Sequence, residues 1–86
     1  NKKKEGIFRK IFNLLDNDKD MVINILSMDI KRIPITIYNI IQPIINEIKF
    51  KNRDINQNEF IEGCMKLFNV LSFNDKRALL NFGTKI

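Results

Sequence analysis

The chain has no histidine, no tryptophan and a single cysteine, Cys64, and it holds only three glycines and two prolines. Each shortage closes off a chemistry. One cysteine cannot form a disulfide within the chain, and without histidine there is no Cys/His zinc set. Three scattered glycines do not make a phosphate-cradling loop, and no imidazole is present to act as a general base. Long hydrophobic runs are also missing. The nearest, residues 33–48, is broken by two prolines, two asparagines and a glutamate, so no transmembrane segment is expected. The sequence begins with Asn1 and shows no signal-like leader. It reads as a fragment of a larger protein, and the free cysteine suggests a cytoplasmic (intracellular) location.

What is present is a chain of 86 residues, 44% hydrophobic and rich in isoleucine, asparagine and lysine, enough for one domain over residues 1–86. Its net charge is +5. Lys2, Lys3, Lys4, Arg9 and Lys10 against Glu5 place +4 of that in the first ten residues. Such an end can attract phosphate or an acidic membrane. Without interleaved aromatics or a nucleic-acid motif, it is read as a solvated end and no nucleic acid is expected as a partner. A basic-tailed helical domain associated with membrane or nucleic acid is kept as an alternative.

Apolar spacing organises the rest. Ile7, Phe8, Ile11, Phe12 and Leu15 share one face of a helix over about 3–15. Val22 and Ile23 suit a very short extended segment, and residues 25–33 can form a short helix that Pro34 stops. Thr36 is a plausible N-cap for the next helix, in which Ile37, Ile40, Ile41, Ile44, Ile45 and Ile48 recur at helical spacing; Pro43 should kink or divide it. A polar stretch over 49–58 follows. Phe60, Ile61, Cys64, Leu67, Phe68 and Leu71 then give a strong helical stripe. Ser72 with Asp75 imitates a capping box for a last helix over about 73–82, with Gly83 as its stop. Phe8, Phe12, Leu15, Ile41, Phe60, Leu67 and Phe68 are the expected core, and Cys64 a small core residue.

The segment 16–27, Asp-Asn-Asp-Lys-Asp-Met-Val-Ile-Asn-Ile-Leu-Ser, resembles the twelve-residue loop of the calmodulin-like EF-hand family. The ligand positions one, three, five, seven and nine of that loop fall on Asp16, Asp18, Asp20, the Val22 carbonyl and Asn24, and position twelve on Ser27. Ile23 stands at position eight, where the family places the aliphatic residue that pairs with its counterpart in the partner loop. A second loop is recognised by its end, Glu59-Phe60, which sets it over residues 48–59 with Ile55 at position eight.

The sequence departs from the family in both loops. Met21 replaces the position-six glycine and Ser27 the position-twelve glutamate. In the second loop Ile48 and Phe50 stand where aspartates belong, and Lys49, Lys51 and Arg53 make it net positive. The resemblance therefore implies a degenerate EF-hand pair. The implied fold is all-α: two helix-loop-helix units, about 3–33 and about 36–71, joined by a two-strand bridge between the loops, plus the C-terminal helix. The second loop is expected to hold no metal and the first to be a weak or vestigial calcium site. The implied function is a non-catalytic, largely metal-independent structural or interaction module. Its expected partner is a protein, either an amphipathic helix or another domain of the parent chain. A calcium sensor using the first loop alone is the alternative.

Overall fold

The structure, a computed structural model, describes residues 2–16 and 19–85, with the side chains of Lys4–Asp16 and Lys19–Thr84. Among the described residues, five α-helices and one two-strand bridge follow in chain order: α1 (Lys2–Leu15), β1 (Val22–Ile23), α2 (Ile35–Ile40), α3 (Gln42–Lys51), β2 (Ile55–Asn56), α4 (Gln57–Val70) and α5 (Phe73–Lys85). The fold is all-α, as the periodicity implies, with the short antiparallel bridge that the resemblance implies. Val22 pairs with Asn56 and Ile23 with Ile55.

The helical faces are those the spacing picks out. Ile7, Phe8, Ile11, Phe12 and Leu15 of α1 are all buried. All six isoleucines from Ile37 to Ile48 at helical spacing are buried as well. Pro43 does divide that stretch. Pro43 lacks a backbone donor, so it fits the first turn of a new helix better than the interior of an old one. Ile41 accordingly leaves helical geometry between α2 and α3 (φ −91°, ψ 10°). Phe12 meets Phe60 at a ring separation of 5.7 Å, and Phe8 meets Phe68 edge-on at 6.3 Å. These contacts join α1 to α4. Cys64 is fully buried beneath them, while Leu67 is only half-buried at the edge.

Four local expectations are corrected. Residues 25–33 form no α-helix; a turn at 25–27 leads to a single 3-10 turn, Ile30–Arg32. The reason is competition from polar side chains. Asn24 Oδ1 accepts from the Leu26 and Ser27 amides, Asp29 caps the 3-10 turn through the Lys31 amide, and Met28 bridges Asp16. The Asp29 amide donates to the Leu15 carbonyl, tying this segment to the end of α1. Thr36 is not a cap: α2 starts at Ile35 after Pro34, with no side-chain cap bond. The polar stretch after Ile48 is helical through Lys51, and Asn52 ends α3 in the left-handed region (φ 49°), which asparagine tolerates.

Gly83, finally, does not stop α5, which runs on to Lys85. A Cβ at Gly83 would overlap Ile7 Cγ1. The glycine instead lets α5 lie close against α1, and Lys10 Nζ donates to the Gly83 carbonyl at 3.1 Å. α5 packs on α1 and α2 with Leu79 fully buried, and its start is capped by Ser72 Oγ, which accepts from the Asp75 amide at 3.2 Å. The radius of gyration is 11.8 Å; a folded chain of this length is expected near about 12 Å, so the helices form one packed body. No helix among the described residues is long and apolar enough to cross a membrane.

Candidate metal loop

The first loop begins where α1 runs out. The Asp16 amide still donates to the Phe12 carbonyl at 2.8 Å, so its side chain leaves from the last turn of the helix. Asp16 is 2% exposed, the one charged residue that is buried among the described residues. Its Oδ2 accepts from the Met21 amide at 3.1 Å. Its Oδ1 is buried and has no hydrogen-bond partner among the described residues. A buried carboxylate oxygen left unpaired is costly, and such an atom asks for a donor or a cation.

Met21 itself sits at φ 69°, and Lys19 at φ 60°. Each non-glycine residue in that region costs about 1–2 kcal/mol. The Met21 side chain is 58% exposed, so the strain is in the backbone and not in packing. The loop thus keeps the backbone conformation a glycine would adopt, and the Met21-to-Asp16 bond it permits, without the glycine.

The other candidate ligands are less available. Asp20 is exposed and its Oδ1 accepts from the Val22 amide at 3.2 Å. Asn24 Oδ1 already serves two amides at 2.9 Å each, and its Nδ2 donates to Asp54 Oδ1 at 2.7 Å, across to the other connector. Ser27 Oγ accepts from the Asn24 amide at 3.3 Å. Val22 belongs to the bridge, facing Asn56. Asp18 lies outside the described residues. Among the described residues no three carboxylate, histidine or cysteine side chains come close enough to share a metal ion. Calcium takes six to eight oxygens. The described donors supply one free buried carboxylate oxygen and one exposed carboxylate, which does not amount to a full site.

The second connector is not a twelve-residue loop. Ile48 to Lys51 remain in α3, and Ile48 is buried in the core. Only Asn52, Arg53 and Asp54 separate α3 from β2. Glu59 is engaged by its neighbours in the chain. Its carboxylate meets the Arg53 guanidinium at 2.6 Å and accepts from the Asn56 amide at 3.2 Å. Asn56 Oδ1 accepts in return from the Glu59 amide at 2.9 Å, closing a reciprocal capping box on α4. The hydrogen bond from Arg53 holds the Glu59 carboxyl below its ordinary value, helped by the Asn56 amide, and Glu59 in turn raises Arg53.

Three features of the site escaped the sequence reading. The Asn-x-x-Glu spacing of residues 56–59 is itself a capping-box signal, obscured by assigning Glu59 to a metal loop. The Arg53–Glu59 pair is a contact six residues apart around a turn. The Asn24–Asp54 bond spans 30 residues and carries no local signal. No family model, no curated protein and no solved structure matches the chain.

Proposed function

We propose that this chain is a non-catalytic structural and protein-interaction module, built on a degenerate EF-hand pair and largely independent of metal, that works by docking amphipathic helices. The observation that carries the reading is α5. It lies across α1 and α2 with Leu79 fully buried and with Gly83 pressed to Ile7. An apolar helix face seated in a helical groove is a recurrent mode of peptide recognition. Here the chain supplies the helix itself.

The chemistry of the remaining groups supports the absence of catalysis. Burial pushes the Cys64 thiol well above its ordinary value, away from the reactive thiolate. The capping contacts occupy Glu59, and Asn24 is committed to its own turn.

The test is competition for the groove. Leu79→Ser should loosen α5, and the variant should then bind a peptide copying residues 73–85 that the unaltered protein does not bind. Equal binding by both proteins, or by neither, overturns the reading.

A second reading, calcium held by the first loop, is favoured by the unpaired Asp16 Oδ1 and by the positive φ of Met21. Calcium there would neutralise the buried carboxylate; Asp16, Asp20 and the Val22 carbonyl are the groups that would hold it, with Asp18 as the resemblance implies. Calorimetric titration with calcium, repeated with magnesium, separates the two readings. Heat that saturates below millimolar calcium supports a sensor, and its absence removes that reading.

A further inference from the structure

Three cations from three chain segments line one cleft. Lys10 comes from α1, Lys19 from the first loop and Arg32 from the 3-10 turn that packs on α1; Asn13 and Leu14 complete the lining. The cleft has a volume of about 200 Å³. Among the described residues no carboxylate lines it, and none of the three cations forms an ion pair. Asp29, the acidic residue nearest in sequence to Arg32, is engaged by the Lys31 amide at 3.2 Å.

The cleft between α3 and α4 provides the contrast. There Glu47, Glu59 and Glu62 stand against Lys51 and Lys66, so the acids outnumber the cations by one. Lysine is abundant over this whole surface, yet only beside α1 does a described cleft collect several cations without an acid.

Two of the three charges are also held in place. Lys10 Nζ donates to the Gly83 carbonyl at 3.1 Å, and Lys19 Nζ to the Asn13 carbonyl at 3.5 Å. Each bond uses one of the three donors of an ammonium and leaves two. Arg32 is exposed and keeps its planar fork of donors, which matches phosphate oxygens two at a time. Like charges gathered in a concave site focus a positive potential and favour an anion that bridges them.

We infer that the Lys10–Lys19–Arg32 cleft binds a phosphate group. The same chemistry is offered by a soluble phosphate compound or by a phosphorylated lipid headgroup. Titration of the full chain at low salt, followed by amide chemical shifts, tests this with two probes: inorganic pyrophosphate, and vesicles carrying a phosphoinositide. Saturable shifts should centre on Asn13, Leu14, Lys19 and Arg32. Arg32→Gln should weaken binding by about tenfold, the scale of one lost charged hydrogen bond. Lys66→Gln, which removes an exposed cation on α4, should change it little. Arg32 makes no hydrogen bond to another described residue through its side chain, so its replacement should leave the melting temperature in place; Lys19→Gln is the second variant. Binding of pyrophosphate alone identifies a soluble ligand, and a stronger response to vesicles through the same residues identifies a headgroup. The inference is overturned if neither probe shifts the cleft residues, or if Lys66→Gln weakens binding as much as Arg32→Gln.

Discussion

Between Asp16 and Met28 the chain turns on side chains that hold backbone amides: Asp16 takes Met21, Asp20 takes Val22, and Asn24 takes Leu26 and Ser27. Between Lys51 and Gln57 it turns in three residues, closed by an ion pair and a capping box. The two connectors meet at the same Ile23–Ile55 bridge. The first keeps strained backbone and a buried charge with one oxygen unpaired. In the second, Ile48 to Lys51 are helical, and Arg53, Asn56 and Glu59 pair with one another. What joins the two connectors is the Ile23–Ile55 bridge together with the Asn24–Asp54 hydrogen bond at 2.7 Å, although one closes on its own side chains and the other is a short turn.

The largest test of that comparison lies beneath the connectors. Phe12 precedes the first and Phe60 follows the second, and their rings touch. Phe12→Ala and Phe60→Ala should each cost about 3–5 kcal/mol in urea unfolding. The double mutant should cost less than the sum, since each single change already removes the shared contact. Strict additivity would mean that the two connectors rest on separate floors.

Asn24→Ala comes next. It strips two amides of their acceptor and cuts the bond to Asp54, so a loss of about 1–3 kcal/mol is expected. Asn56→Ala removes only a helix cap from the second connector and should cost about 0.5–2 kcal/mol. If the order is reversed, the second connector and not the first carries the polar closure.

Replacing Met21 by glycine and Ser27 by glutamate sharpens the contrast through ligand binding. The pair relieves the φ strain and supplies the missing carboxylate beside Asp16, so calorimetry should register calcium affinity at least about tenfold above the unaltered protein. Failure to respond at millimolar calcium would show that the turn is a capping cluster and nothing more.

The smallest effect belongs to acid. The Glu59 carboxyl is held below its ordinary 4.5, so folding favours its charged form. Its contribution is present above that ordinary value and is lost as pH falls through the lower, folded one. The group is exposed, so salt should screen most of the effect. Stability measured from pH 6 downward should fall slightly more steeply in the unaltered protein than in Glu59→Gln.

Much of the fold was legible in the sequence where one period repeats long enough. The α1 and α4 stripes and the divided isoleucine helix follow from spacing, because burial selects apolar residues on one face over several turns, whereas the Ile23–Ile55 pairing was an expectation from the resemblance of the two loops. The misread parts are those decided by a few polar bonds or by distant contacts. Residues 25–33 have enough apolar content for a helix, yet Asn24 and Asp29 draw their amides into turns. Lys49 to Lys51 look like loop, but helix propensity and the Glu47–Lys51 pair at 3.1 Å carry α3 through them. Gly83 looks like a stop because glycine often is one; its use against Ile7 depends on a residue 76 positions away. At the candidate site, Asp16 was identified as the leading carboxylate, whereas its burial and its single unpaired oxygen are properties of the surrounding packing.

The buried thiol of Cys64 makes the protein its own clock. A thiol-specific reagent reaches that sulfur only while α4 is lifted from α1, because no part of Cys64 is exposed in the closed body. When closing is faster than modification, the labelling rate divided by that of a free thiol is the fraction of time spent open. Chain melting and lifting of α4 can then be told apart by denaturant. The first speeds up with urea in proportion to all the surface released; the second responds weakly, since it bares only part of one helix. One naturally single cysteine thus reports, without any engineered probe, how often the α1–α4 seam beneath both connectors comes apart.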